Sequence, residues 1–244
     1  PGRRGPLIAR ASLCTLVLVS ACRCAPPATD HVAVLVQSHE SARTCIAAVP
    51  AGELTCPETL NGHFPGPSSP DRTTLLLIEP TPDGDLLHTW QLGDADSRFL
   101  AGPASPLRDP SWSVDGEQVL FRGALAGRTG VWRVAATGGA PELLSDAPLG
   151  DYEPHQDASG RTVFASSRDG NAEIYMRSAT GEVARVATNP HDDVHPRFSP
   201  DSQHLAWLSD DERSRHLVVR TRHGAPVPLG DADGQTAFAW APDS

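Results

Sequence analysis

One phrase recurs along this chain at near-constant spacing, and a chain written that way folds as an array of like units. Asp109-Pro110-Ser111-Trp112-Ser113-Val114-Asp115-Gly116 precedes the apolar run Val119-Leu120-Phe121. Glu153-Pro154-His155-Gln156-Asp157-Ala158-Ser159-Gly160 precedes Val163-Phe164-Ala165, and His195-Pro196-Arg197-Phe198-Ser199-Pro200-Asp201-Ser202 precedes Leu205-Ala206-Trp207. A fourth copy is Phe238-Ala239-Trp240-Ala241-Pro242-Asp243-Ser244, and a weaker one is Ser69-Pro70-Asp71-Arg72 before Leu75-Leu76-Leu77-Ile78. The turn position, usually Asp, falls at 71, 115, 159 (a Ser), 201 and 243, so the gaps are 44, 44, 42 and 42 residues. A further step back of 41 residues reaches Asp30, which gives five periods.

A period of this length with four short strands is the signature of a propeller blade. In the repeat that begins at Glu153, strands are expected around 162–165, 173–177 and 183–186, after a first strand that carries the Pro-x-aromatic phrase. The Asp-Gly and Thr-Gly pairs between them supply the positive φ of tight hairpins. Composition agrees. Gly (21) and Pro (23) together make about 18% of 244 residues, against roughly 12% in average proteins, which favours turns over long helices. Trp112, Phe198 and Trp240 are expected to pack between blades, and Gln156 interrupts that column.

The phrases Phe198-Ser199-Pro200-Asp201 and Ser166-Ser167-Arg168-Asp169-Gly170-Asn171-Ala172-Glu173-Ile174-Tyr175 resemble the WD-like repeats of the TolB family of β-propellers. The resemblance covers about residues 66–244, and 30–60 by spacing alone. It implies an all-β fold of four-stranded antiparallel blades. It also implies a role in binding envelope partners without catalysis.

The expected repeats are 30–65, 66–108, 109–152, 153–194 and 195–237, within a propeller spanning 30–244. The first period opens at a second strand, His31–Val36, and the last residues, 235–242, read as a first strand without its followers. The two fragments are complementary, so the expected ring has five blades closed by 235–242, which leaves no open edge. A truncated six-bladed ring is the alternative.

Residues 1–21 hold Arg3, Arg4 and Arg10, no acid, and an apolar stretch from Ala11 to Val19. This is the order of a secretory signal, and it is too short to span a bilayer. Val19-Ser20-Ala21-Cys22 resembles a bacterial lipobox, which implies lipidation of Cys22, a short tether over 22–29, and export as a lipoprotein. Arg23 after that cysteine implies the periplasmic side of the outer membrane or the cell surface. A plain signal peptide is the other reading.

All 20 basic residues are Arg, and the net charge is −10. Without a segregated basic patch this excludes nucleic acid as the expected partner. From Cys22 onward 17 Arg face 30 acids, a balance of −13. The expectation is an acidic monomer that meets the membrane only through its anchor.

Cys45 and Cys56 fall in consecutive strands joined by a turn at 50–52, and pairing 49 with 52 sets 45 opposite 56. Opposed strand residues come close enough for a disulfide, which an exported compartment permits. Two buried thiols are the alternative, and Cys24 is left over.

No nucleophile elbow, His-Glu-x-x-His, Cys-x-x-Cys, phosphate loop or dinucleotide fingerprint occurs. The chemistry-bearing residues gather instead on the connections leading into the first strand of a blade. These are Asp146, Asp151 and Glu153; His191, Asp192, Asp193 and His195; and Asp231 and Asp233. An acidic mouth of this kind attracts a basic peptide, an envelope protein or a divalent cation through its field. His191, Asp193 and His195 are the candidate ligands for such a cation. The same residues also serve as ordinary turn formers in a solvated loop set. The expected function is a non-catalytic binding platform needing no cofactor, with a metal-dependent saccharide lyase as the alternative. Arg122 and Arg168 are expected to pair with nearby turn carboxylates.

Overall fold

The computed structural model describes residues 30–37, 42–49, 54–147, 150–212, 214–231 and 238–241. Among them lie five antiparallel sheets, and the only helix is a three-residue 3-10 turn, Glu58–Leu60. The first sheet has three strands, β1 (Asp30–Gln37), β2 (Ala42–Val49) and β3 (Leu54–Thr55). The second runs β4 (Phe64–Ser68), β5 (Thr74–Thr81), β6 (Gly84–Gln91) and β7 (Arg98–Ala104). The third is β8 (Arg108–Trp112), β9 (Gln118–Leu125), β10 (Arg128–Ala135) and β11 (Glu142–Ser145). The fourth is β12 (Asp151–Gln156), β13 (Thr162–Ser166), β14 (Glu173–Arg177) and β15 (Val183–Arg185). The fifth is β16 (Asp193–Phe198), β17 (His204–Asp210), β18 (Arg215–Thr221) and β19 (Val227–Asp231). Each four-stranded sheet is a meander in chain order, as a blade should be. Of the proposed closing segment 235–242 only 238–241 are described, and among the described residues the first sheet has three strands.

Apolar residues lie between sheets. Ile46, Leu60, Leu75, Leu77 and Trp90 fill the space between the first and second. Leu76, Leu100, Leu107, Trp112, Phe121 and Trp132 fill that between the second and third. Leu120, Val131, Leu144, Phe164 and Tyr175 pack the third on the fourth, and Val163, Ile174, Phe198, Leu205 and Trp207 pack the fourth on the fifth. A blade covered on both faces needs apolar side chains on both, which is why β13 is buried at every position. Each large side chain removed from water contributes about 1.5–3 kcal/mol.

The repeated phrase has a repeated structure. Ser69 Oγ donates to Asp71 Oδ1, Ser113 Oγ to Asp115 Oδ1 and Ser199 Oγ to Asp201 Oδ1, each at 2.5 Å. In the fourth sheet the pair is exchanged: Ser159 Oγ donates to Asp157 Oδ1 at 2.8 Å. The fourth residue of this turn has positive φ in all four described copies, filled by Gly116 and Gly160 but also by Arg72 and Ser202. Aromatic residues then lock one blade to the next: Trp112 Nε1 donates to Pro67 O and Trp240 Nε1 to Arg197 O, both at 3.1 Å. Gln156 occupies the same column without loosening it. Its side chain is buried, and Nε2 donates to Thr162 Oγ1 at 2.9 Å.

In the first sheet Ala47 pairs with Leu54 and Ile46 with Thr55, and the next step outward is the Cys45–Cys56 disulfide. Their Cα atoms are 4.1 Å apart. The bond closes a loop of 11 residues, worth about 2–3 kcal/mol. A Cys45→Ala/Cys56→Ala protein should therefore lose about 2–3 kcal/mol of stability in urea unfolding. An unchanged midpoint would show that the loop is held by packing alone.

Candidate functional site

The connections named above lead into β12 and β16, at the ends where these innermost strands begin. A bulge interrupts each innermost strand at the same place, between Pro65 and Ser68, Arg108 and Ser111, Tyr152 and His155, and Val194 and Arg197. In the last three sheets the bulge holds a left-handed residue: Asp109 (φ 53°), Glu153 (φ 54°) and His195 (φ 57°). These three are stitched together. Glu153 N–H donates to Asp109 Oδ2 at 3.3 Å, and His195 N–H donates to Glu153 Oε2 at 2.7 Å. His195 Nδ1 also sits 2.9 Å from Glu153 Oε1. Burial pushes Glu153 upward, but the His195 hydrogen bonds and charge, with Arg197, outweigh it and hold the carboxyl below its usual range. Burial pushes the Asp109 carboxyl up. Behind the row, His155 Nδ1 accepts the Phe198 N–H at 3.1 Å, so its imidazole is neutral; burial and then Arg197 push it down to about 3.

Two of the remaining mouth acids, Asp151 and Asp193, are turned inward. Asp151 is buried, and both carboxylate oxygens lie 3.0 Å from Arg168 Nη2. That Arg168 pairs with a turn carboxylate agrees with the expectation. Its guanidinium also donates to Ser166 Oγ at 2.9 Å and lies 4.5 Å from the Tyr175 ring centroid. Arg122 instead lies over the Tyr152 ring, 5.7 Å from its centroid. Asp192 is exposed, with Oδ1 accepting the Ala172 N–H at 2.8 Å. Asp193 is fully buried; Oδ2 accepts from Asn189 Nδ2 at 2.8 Å, and burial pushes its carboxyl up to about 6. Asp231 ends β19, and Asp233 lies outside the described residues.

The three candidate metal ligands do not converge. Asp193 is engaged by Asn189, while the bulge turns His195 toward Glu153, and the His191 backbone N–H binds Asn189 Oδ1 at 2.7 Å. Among the described residues one group can gather ligand atoms around an ion, and it lies elsewhere: His63, Glu79 and His88. No local spacing marks it, because 25 residues separate the two histidines. Only the pairing of β5 with β6 brings Glu79 and His88 onto one face. At the opposite end of the strands from the mouth, a cleft of about 430 Å³ lies between the second and third sheets, with Asp71, Asp94, Asp96, Arg98 and Asp115 in its lining.

No protein-family model matches the chain. An uncharacterized protein of Agrobacterium fabrum is 36% identical over 58 residues, 23% of this chain and 20% of that protein. The structure of putative TolB from Agrobacterium tumefaciens superimposes with a TM-score of 0.64 at 17% identity, covering 86% of this chain and 82% of that one. The fold is that of the TolB-like β-propellers. TolB from Acinetobacter baumannii gives a TM-score of 0.60 at 16% identity, over 84% of this chain but 53% of that one. Propellers from prolyl endopeptidases and from an oligogalacturonate lyase share the architecture too. The matched stretches thus span a fifth of the curated relative and about half of the Acinetobacter TolB.

The buried Asp193 makes a signed prediction. Its folded pKa is raised, so between about pH 4 and pH 6 the unfolded chain releases a proton that the folded one keeps. This group's contribution therefore falls as pH rises through that window, and its cost is complete above about pH 6. Asp193→Asn should lose this dependence, gaining stability relative to the parent between about pH 4 and pH 7. Urea unfolding at both pH values measures it, and a constant difference between the two proteins would refute the assignment.

Proposed function

We propose that this chain is an exported, lipid-anchored TolB-like propeller that binds a basic peptide or protein segment in the cell envelope and performs no chemistry of its own. The observation that carries this reading is the stitched row Asp109–Glu153–His195. It fixes a rigid polar rim where the innermost strands begin, and its groups are spent on one another rather than arranged as nucleophile and base. Exposed Asp192 and Asp146 lie on the connections leading into β16 and β12. They add to the field of a domain whose balance after the signal is −13. TolB likeness and the signal-like N-terminus, with its lipobox at Cys22, support the envelope as the place. Against the alternative, a metal-dependent saccharide lyase, stands the divergence of His191, Asp193 and His195.

A fluorescent arginine-rich peptide tests the binding reading. It should bind at low salt, weaken steeply as salt rises, and lose a few-fold in association rate with Asp192→Asn, which keeps its acceptor for the Ala172 N–H. No binding at low salt, or binding indifferent to Asp192, overturns the reading. Release of unsaturated sugars from oligogalacturonate would place the chain among the lyases. Intact mass of the membrane-extracted protein should show acyl chains on Cys22, and an unmodified cysteine removes the anchor.

A further inference from the structure

We propose that His63, Glu79 and His88 form a binding site for a divalent transition-metal ion, zinc foremost, between the first and second sheets. The three side chains offer ligand atoms that all lie within 4.8 Å of one another. His88 Nε2 is 3.0 Å and His63 Nε2 is 3.9 Å from the same oxygen, Glu79 Oε2. Zinc at its usual bond lengths spaces N and O ligands about 3.3 Å apart, so these two spacings must change by about 0.3 and 0.6 Å, and the remaining pair, within 4.8 Å, by at most about 1.5 Å.

Two features make this more than a chance gathering. First, the two histidines are about nine-tenths buried; His63 Nε2 has no hydrogen-bond partner, and His88 Nε2 faces only the Glu79 carboxylate. A buried ring nitrogen in that condition carries a free-energy cost that something must relieve. Second, the opposite ring nitrogens are braced. His63 Nδ1 lies 3.3 Å from Asn61 O, which can only accept, so the neutral ring carries its proton on Nδ1 and turns Nε2, the nitrogen that can ligate, to the carboxylate. His88 Nδ1 lies 3.4 Å from Ser97 Oγ. An imidazole whose outer nitrogen binds a backbone carbonyl or hydroxyl, and whose inner nitrogen is free, is the usual form of a metal-bound histidine. A proton shared by His88 and Glu79 would leave His63 Nε2 still facing a carboxylate oxygen. One cation satisfies all three atoms.

The fold builds the site from separate elements. Leu77 lies directly across from His88 in the β5–β6 pair, and Glu79 is two residues on, on the same face. At that diagonal a long side chain reaches its neighbour. Phe99, opposite His88 in β7, sets its ring edge to the imidazole with centroids 5.9 Å apart. His63 is delivered by the 3-10 turn and anchored to the first sheet by the hydrogen bond from Thr44 Oγ1 to its carbonyl, 2.6 Å. Glu79 is about two-fifths exposed, so ions can enter from its side, and two His with one carboxylate leave a fourth zinc position for water. The ion would tie the segment after the disulfide to the second sheet.

The test uses the full exported chain with its disulfide intact, dialysed against metal-free buffer and titrated with zinc chloride by calorimetry. One zinc per chain is expected, with a rise in melting temperature. Glu79→Gln removes a charged ligand at a partly exposed position and should weaken zinc by roughly 100-fold or more, beyond what loss of a supporting group costs. His88→Gln should do the same. His191→Gln/His195→Gln should leave the affinity unchanged, which separates this site from the mouth. Cobalt in place of zinc reports the geometry directly, because visible bands of a four-coordinate site should appear in the parent and vanish in Glu79→Gln. Failure of the parent to bind zinc, affinity indifferent to Glu79 and His88, or loss of binding in the mouth variant each overturns the proposal. None of these outcomes bears on binding of the arginine-rich peptide.

Discussion

A left-handed residue inside an extended strand costs about 1–2 kcal/mol and persists only where its surroundings hold it. Here three successive innermost strands hold one each, and in the second and third of them the holding group is the equivalent residue of the preceding blade. Asp109 grips the amide of Glu153, and Glu153 grips the amide of His195. The bulge reverses the local direction of side chains, so each carboxylate points along the row instead of into its own sheet. The connections leading into β12 and β16 end on this chain of one-residue grips, which ties the third, fourth and fifth sheets together at that end. Trp112 and Trp240 repeat the same logic farther along the strand, each docking on the carbonyl of the previous copy.

Burial of so many acids in an acidic protein needs cations of a particular shape. Asp151, Asp157 and Glu173 are all buried, and each is met by an arginine: Arg168, Arg161 and Arg185. A guanidinium spreads its charge over a plane and donates in several directions at once. Arg168 meets a carboxylate, two hydroxyls and two aromatic rings in this way. A lysine ammonium offers no such plane. The absence of Lys from the sequence suits these positions.

The repeat, the strand pattern and the Cys45–Cys56 pairing were legible in the sequence, because each depends on residues close together in the chain or recurring at a fixed period. In the fourth sheet the expected strands at 162–165, 173–177 and 183–186 differ from the observed ones by no more than a residue. The candidate site was less legible. Composition identified the acids on the connections, yet it carries no information on direction. Asp151 and Asp193 turn inward, while Asp192, immediately before Asp193, stays exposed. Gln156 looked like a defect in an aromatic column, and a buried threonine one hairpin away satisfies it. His63, Glu79 and His88 were passed over because three elements bring them together and no motif links them.

The exchanged pair in the fourth sheet has a consequence for how such an array can change. With Asp157 and Ser159 transposed, the turn keeps its internal hydrogen bond, and the second carboxylate oxygen becomes available to Arg161 Nε at 2.6 Å. Arg161 in turn reaches Ser202 O in the neighbouring turn and lies over the Phe198 ring. Either substitution alone would place two acids or two hydroxyls in one turn. The copies therefore drift apart in coupled steps, and a transposition that looks like lost similarity when read column by column can install a new bond between blades.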